Sequence, residues 1–221
     1  MQFRMVSLAV LCWALAVIPA SAQTQILYSN GPINGTVDAW TINFGYVVSD
    51  SFYIPYYSQV AGFDFGVWKF PGDTLSSVDW SITSGEFGGT VYGSGTAING
   101  VNLADIFVSS NQYGYNIDQI SVSTSNLFLY LNGGTYWLNL ANASVGSGDP
   151  VYWDENSGPS SASESAVGTI PSEAFDISAP CINRGEPSCG PPTPEPSSIM
   201  LLGSGIGGLM GVLRRKLWKS N

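Results

Sequence analysis

The strongest constraint on this chain is a side-chain alternation with a period of two, repeated along its middle. In 36–48, TVDAWTINFGYVV, the residues Trp40, Ile42, Phe44, Tyr46 and Val48 fall on one face, with smaller or polar residues between them. Successive side chains of an extended strand point to opposite faces, so the pattern predicts a half-buried strand. Phe63, Phe65 and Val67 alternate in the same way, as do Val78, Trp80 and Ile82. The aromatic stretch Phe52–Tyr57 contains Pro55, which predicts an edge strand or a loop. Leu127–Leu131 and Thr135–Leu140 flank Asn132-Gly133-Gly134, which predicts a hairpin in which Tyr136, Leu138 and Leu140 share a face. Val151-Tyr152-Trp153 predicts a further aromatic strand, and Ala174–Ile177 a short final one. Short strands between Gly- and Asn-rich turns, with no long amphipathic helical pattern, predict an all-β fold. The expected architecture is a single jelly-roll-like β-sandwich over residues 23–180.

The two ends of the chain read differently. Arg4, the apolar stretch Met5–Ile18 and Ala20-Ser21-Ala22 have the order of a secretory signal peptide. Residues 1–22 are therefore expected to pass through the Sec machinery and be removed by signal peptidase, leaving Gln23 first. At the other end, a Pro/Ser/Gly-rich linker at 181–197 leads to an apolar segment at 198–213 and a basic tail at 214–221. The apolar run is short for a transmembrane helix and reaches spanning length only if Arg214 and Lys216 snorkel to the interface. The positive-inside rule leaves the basic end cytoplasmic and everything before Ile199 outside.

Pro194-Glu195-Pro196-Ser197, the glycine-bearing apolar segment and Arg214-Arg215-Lys216 together resemble the PEP-CTERM sorting signal of exported bacterial proteins. The resemblance implies that an exosortase-type membrane enzyme recognises and processes the tail. It also implies a final location at the cell surface or outside the cell, in company with exopolysaccharide. A second likeness covers Leu131–Glu155, where a Gly-Thr-Tyr-Trp-Leu strand precedes a Tyr-Trp-Asp strand. That order is similar to exported bodies carrying this tail; it implies a shared secreted β-sandwich and brings no catalytic residues.

Charge narrows the partners. All 16 acidic residues lie between Gln23 and Ser197, where Lys69 and Arg184 are the only basic residues, a formal charge of −14. Such a body repels nucleic acid and anionic lipid. Histidine is absent, which removes Ser-His and Cys-His nucleophile systems and histidine-containing metal sites. Cys181 and Cys189 stand eight positions apart in an exported chain, so a small disulfide loop in the linker is expected.

The body carries several candidate sites. Tyr56, Tyr57, Tyr152 and Trp153 could stack on sugar rings if exposed; the competing reading is ordinary sandwich packing. A glycosidase would need two carboxylates across a cleft, and the available acids are Asp149, Asp154 and Glu155, with Glu86 more distant. Asp149 and Asp154 are also candidate oxygen donors for a calcium ion, although no EF-hand spacing is present. No cofactor is otherwise expected. The functional expectation is a non-enzymatic cell-surface or extracellular-matrix structural protein. The alternatives are a non-catalytic carbohydrate-binding module and a glycoside-acting enzyme.

Overall fold

The computed structural model describes residues 24–181, and among these helical structure is limited to one 3-10 turn at Ser125–Leu127. The expected signal peptide, the apolar run and the basic tail lie outside the described residues. Two large antiparallel sheets account for most of the described residues.

The eight-stranded sheet is built on β5 (Gly62–Lys69). Along one edge β5 pairs with β9 (Asn116–Ser123), which pairs in turn with β8 (Leu103–Ser110). Its other edge is divided. β16 (Phe175–Pro180) takes the residues from Gly62 to Phe65, and β12 (Tyr152–Asn156) takes Val67 and Trp68. β1 (Thr24–Ser29) flanks β16, while β2 (Ala39–Thr41) and β15 (Ser172–Glu173) flank β12. The second sheet has six strands. Its order is β14 (Gly168–Ile170), β13 (Ala162–Glu164), β3 (Val47–Ile54), β11 (Gly134–Val145), β6 (Leu75–Gly85) and β7 (Gly88–Ile98). A separate ribbon joins β4 (Ser58–Val60) to β10 (Leu129–Leu131). The result is a β-sandwich, broader than an eight-stranded jelly roll.

The alternation explains the core. Phe63, Phe65 and Val67 of β5 point inward with Ile120, Val122, Trp153, Phe175 and Ile177, and meet Val48, Phe52, Ile54, Trp80, Ile82, Leu138 and Leu140 of the facing sheet in one cluster. Trp153 sits edge-on to Phe65 and Phe175, at ring-centroid distances of 6.1 and 5.6 Å. Full burial of each such side chain contributes roughly 1.5–3 kcal/mol.

Of three local expectations, two are corrected and one holds. The strand over 36–48 is broken, because Asn43 starts a turn: its carbonyl accepts the Tyr46 N–H, and its side-chain amide donates to the Asp149 carbonyl. Phe44 and Tyr46 therefore leave the buried face; both are exposed, and Phe44 takes a left-handed φ of 56°. Second, the edge expectation holds for Phe52 to Ile54: β13 pairs with β3 only at Val48–Asp50, so these residues pair with β11 alone, and Pro55 ends the strand. Third, the hairpin around Asn132–Gly134 does not form. β10 pairs with β4, and β11 pairs with β3 and β6, so the glycines carry the chain from the ribbon into the six-stranded sheet. A Cβ on Gly133 would stand 3.1 Å from the Pro55 carbonyl oxygen, a tight contact that the bare backbone avoids.

Lys69 is the only Lys or Arg among the described residues. It is buried with Nζ at 2.9 Å from both Asp105 and Asp118, and it donates to the Asp73 carbonyl. Asp105 also accepts the Leu75 N–H at 2.7 Å. The lysine thus ties β5, β8, β9 and the start of β6 together. Burial pulls its ammonium down, but Asp118 and Asp105 pull it up and win. Burial, with Asp105 alongside, pushes the Asp118 carboxyl up to about 6. Removing one partner of a buried ionic group strands the others, which costs about 3–5 kcal/mol. Lys69→Ala is expected to lower stability by that amount in urea unfolding, with recovery when Asp105 and Asp118 are both changed to Asn.

Candidate functional site

The exposed aromatic residues gather most clearly at the ribbon of β4 and β10. Its register places Leu129 opposite Val60, Tyr130 opposite Gln59 and Leu131 opposite Ser58. Val60, Leu129 and Leu131 are buried, so the pleat turns Tyr130 and Gln59 outward. Tyr57 and Tyr130 lie with ring centroids 5.5 Å apart and planes 7° apart, an offset stack. The Tyr130 hydroxyl donates to Gln59 Oε1 at 3.4 Å. Tyr56 and Tyr57 are 62% and 65% exposed, and Leu127, Phe128 and Tyr53 are exposed as well. Phe128 holds a left-handed φ of 47°, uncommon and strained for a bulky residue. No charged residue occurs in 51–63 or in 119–148, the segments that supply this corner. In so acidic a chain it is a neutral surface of flat rings with hydroxyl groups and a side-chain amide.

The other predicted aromatics lie elsewhere. Trp153 is 0% exposed and its Nε1 donates to the Ala174 carbonyl at 3.0 Å. Its place in the core removes it as a sugar-stacking residue. Tyr152, the preceding residue, turns to the outer face and packs edge-on against Tyr115 at 5.7 Å. Burial, then Tyr115, pushes its hydroxyl up to about 12. Trp68, Phe70 and Tyr113 complete this second aromatic group.

Two of the predicted acids, Asp154 and Glu155, are already engaged. Asp154 is fully buried and accepts three N–H groups: Asn34 at 2.8 Å, Gly35 at 3.0 Å and Trp68 Nε1 at 2.6 Å. It anchors the 33–36 loop onto β5, where Gly66 leaves the space: a Cβ there would lie 2.9 Å from Asp154 Cβ and from Ile33. Burial raises the Asp154 carboxyl, against the three N–H groups that lower it. Glu155 points to the opposite face and accepts Trp40 Nε1 at 2.9 Å. Two successive residues of one strand cannot face each other across a cleft, so Asp154 and Glu155 do not form a glycosidase pair. Glu86 is exposed in the turn between β6 and β7, and Asp149 lies half-buried in the loop before β12. Among the described residues, no three His, Cys, Asp or Glu side chains converge to hold a metal ion.

A cavity of about 320 Å³ opens on the outer face of the eight-stranded sheet between Ile33 and Val108. Asp64 and Asp176 are direct cross-strand partners on its floor, beside Gln119. It lacks an exposed aromatic wall, which separates it from the tyrosine corner.

Residues 192–216 match the PEP-CTERM protein-sorting motif family. The match takes in Pro194, Glu195, Pro196, Ser197, Arg214, Arg215 and Lys216, and the sandwich lies outside it. No curated protein matches the chain. The match is consistent with an exosortase substrate and with export, and leaves the sandwich unclassified.

The sequence does not single out Tyr130 as a site residue, because Leu127–Leu131 predicts half of a hairpin. The signal is the alternation Leu129-Tyr130-Leu131, which sends the ring outward once the leucines are known to be buried. Stacked aromatic pairs contribute about 0.5–1.5 kcal/mol beyond burial. Tyr130→Ala is expected to cost at most about that amount in thermal unfolding, whereas Trp153→Ala is expected to cost about 3–5 kcal/mol.

Proposed function

We propose that this chain is an exported, non-enzymatic β-sandwich of the cell surface or extracellular matrix. The signal peptide at 1–22 sends it out, and the apolar segment at 198–213 holds it in the membrane with the basic end inside. An exosortase-type enzyme then releases or transfers the body by processing the tail. The observation that carries this reading is the sorting motif at 192–216. The acidic, histidine-free composition supports it, because such a body stays soluble and carries no common nucleophile system. In the linker, Cys181 closes a loop with Cys189 ahead of the motif; Cys189 lies outside the described residues. Intact-mass spectrometry of the mature extracellular protein tests the route. A chain that starts at Gln23 and lacks Leu201–Lys219 is expected, and retention of Leu201–Lys219 overturns the processing step. Spectra taken before and after reduction read the Cys181–Cys189 bond.

A second reading, compatible with the first, is that the body contacts neutral polysaccharide through Tyr56, Tyr57 and Tyr130. The exposed Tyr57–Tyr130 stack favours it. Apolar sugar faces pack on flat rings, while phenol and amide groups meet the hydroxyls. A surface without charge beside an acidic body discriminates against anionic chains. In a pull-down with neutral and anionic polysaccharides, binding to the neutral ones is expected, weakened about 3- to 10-fold by Tyr57→Ala or Tyr130→Ala. Absence of binding by the wild type overturns this reading.

A further inference from the structure

Glu173 stands in a position where an ionised carboxylate has nothing to hold it. On β15 it is the direct antiparallel partner of Glu155 on β12, so the two side chains share a face. Glu155 lies two residues beyond Trp153, which places that face toward the core. Glu173 is 0% exposed, and neither of its carboxyl oxygens has a hydrogen-bond partner. The acids around it are Asp50 from β3, Glu155 and Asp154 from β12, and Asp38 from the segment before β2. Lys69, the one cation among the described residues, is held by Asp105 and Asp118. Burying an unpaired charge costs several kcal/mol or more, and a like charge directly opposite adds to it.

The surroundings of Glu173 join the two sheets. Its backbone N–H donates to Asp50 Oδ2 at 2.8 Å, and its carbonyl accepts the Asn30 side-chain amide at 2.7 Å. Asn30 Nδ2 also lies 3.0 Å from Asp50 and 2.7 Å from Ser172 Oγ. The next residue, Ala174, donates to the Asp154 carbonyl and accepts Gly66 N–H and Trp153 Nε1. Asn30 N–H donates to the Phe175 carbonyl. One short segment, 172–175, therefore connects β1, β3, β5 and β12.

We propose that Glu173 is a proton-operated latch: it is a neutral carboxylic acid in the folded sandwich, and its ionisation loosens the seam formed by β15 and the start of β16. The step is a single proton exchange with solvent at one Glu173 oxygen. Burial first, then the charges of Asp50 and Glu155, hold this carboxyl well above its usual value. Burial likewise raises Asp50 to about 6. The sign follows. Between the ordinary carboxylate range of about 4–5 and the raised value, the folded state keeps a proton that the unfolded chain has released. The contribution to stability is complete below that range and is lost as pH rises through the raised value. One proton changes the opening equilibrium by up to about tenfold per pH unit.

Hydrogen–deuterium exchange of the exported chain, corrected for intrinsic rates, tests this from about pH 5 to about pH 8. Protection at 172–178 is expected to fall with rising pH, by up to about tenfold per unit, while the centre of β11 changes less. In Glu173→Gln, which is neutral and of the same shape, the fall in protection at 172–178 is expected to shrink to the part that Asp50 contributes. A slope in Glu173→Gln equal to that of wild type overturns the proposal. Should Glu173→Gln fail to fold, a carbon-13 titration of the glutamate carboxyls in wild type decides instead. One carboxyl must titrate well above the usual range of about 4–5, and all titrating within it overturns the proposal.

Discussion

A shortage of positive charge governs how this sandwich is put together. Of the chain's 16 acidic residues, all but Glu186 and Glu195 fall within the described residues, and they share a single lysine. Buried carboxylates must therefore be satisfied by N–H groups or by protons. Asp154 takes the first course, with two backbone N–H groups and an indole. Glu164 does the same in the turn after β13, where the Ala166 and Val167 N–H groups donate to Oε2. Asp105 and Asp118 consume the lysine. Glu173 has none of these partners and is left to the proton.

These carboxylates shape the outside as well as the inside. Asp154 pins the 33–36 loop over Gly66, so β5 is covered on both faces, as a central strand of an all-β domain requires. One region of the surface is free of charge for a different reason: 51–63 and 119–148 contain no charged residue. The β4–β10 ribbon is uncharged and carries its tyrosines outward, while its leucines and Val60 seal the core from beneath. The exposed rings thus stand on a buried base, which suits a contact surface that must hold its shape.

The sorting motif and the sandwich answer separate questions. The motif at 192–216 bears on route and destination. The body bears on what is presented there: a β-sandwich with a neutral tyrosine corner on an otherwise acidic frame. Neither depends on a catalytic group, and the paired acids that could have supported one are turned to opposite faces of β12.

The sequence by itself determined the all-β class, the acidity and the tail. It also identified the inward sets Phe63/Phe65/Val67 and Tyr136/Leu138/Leu140, because these follow from local alternation and composition. Only the tertiary structure decided which strand pairs with which and which face is covered. β10 joins β4 and not β11, which turns Tyr130 into a surface residue. The alternation of Tyr152 and Trp153 is plain in the sequence, but a second sheet had to cover one side before Trp153 became core and Tyr152 did not. Glu173 gives no local signal, since β3 and β12, which lie against it, are distant from it in the chain. Period-two patterns specify which side chains share a face; non-local pairing specifies what lies against that face.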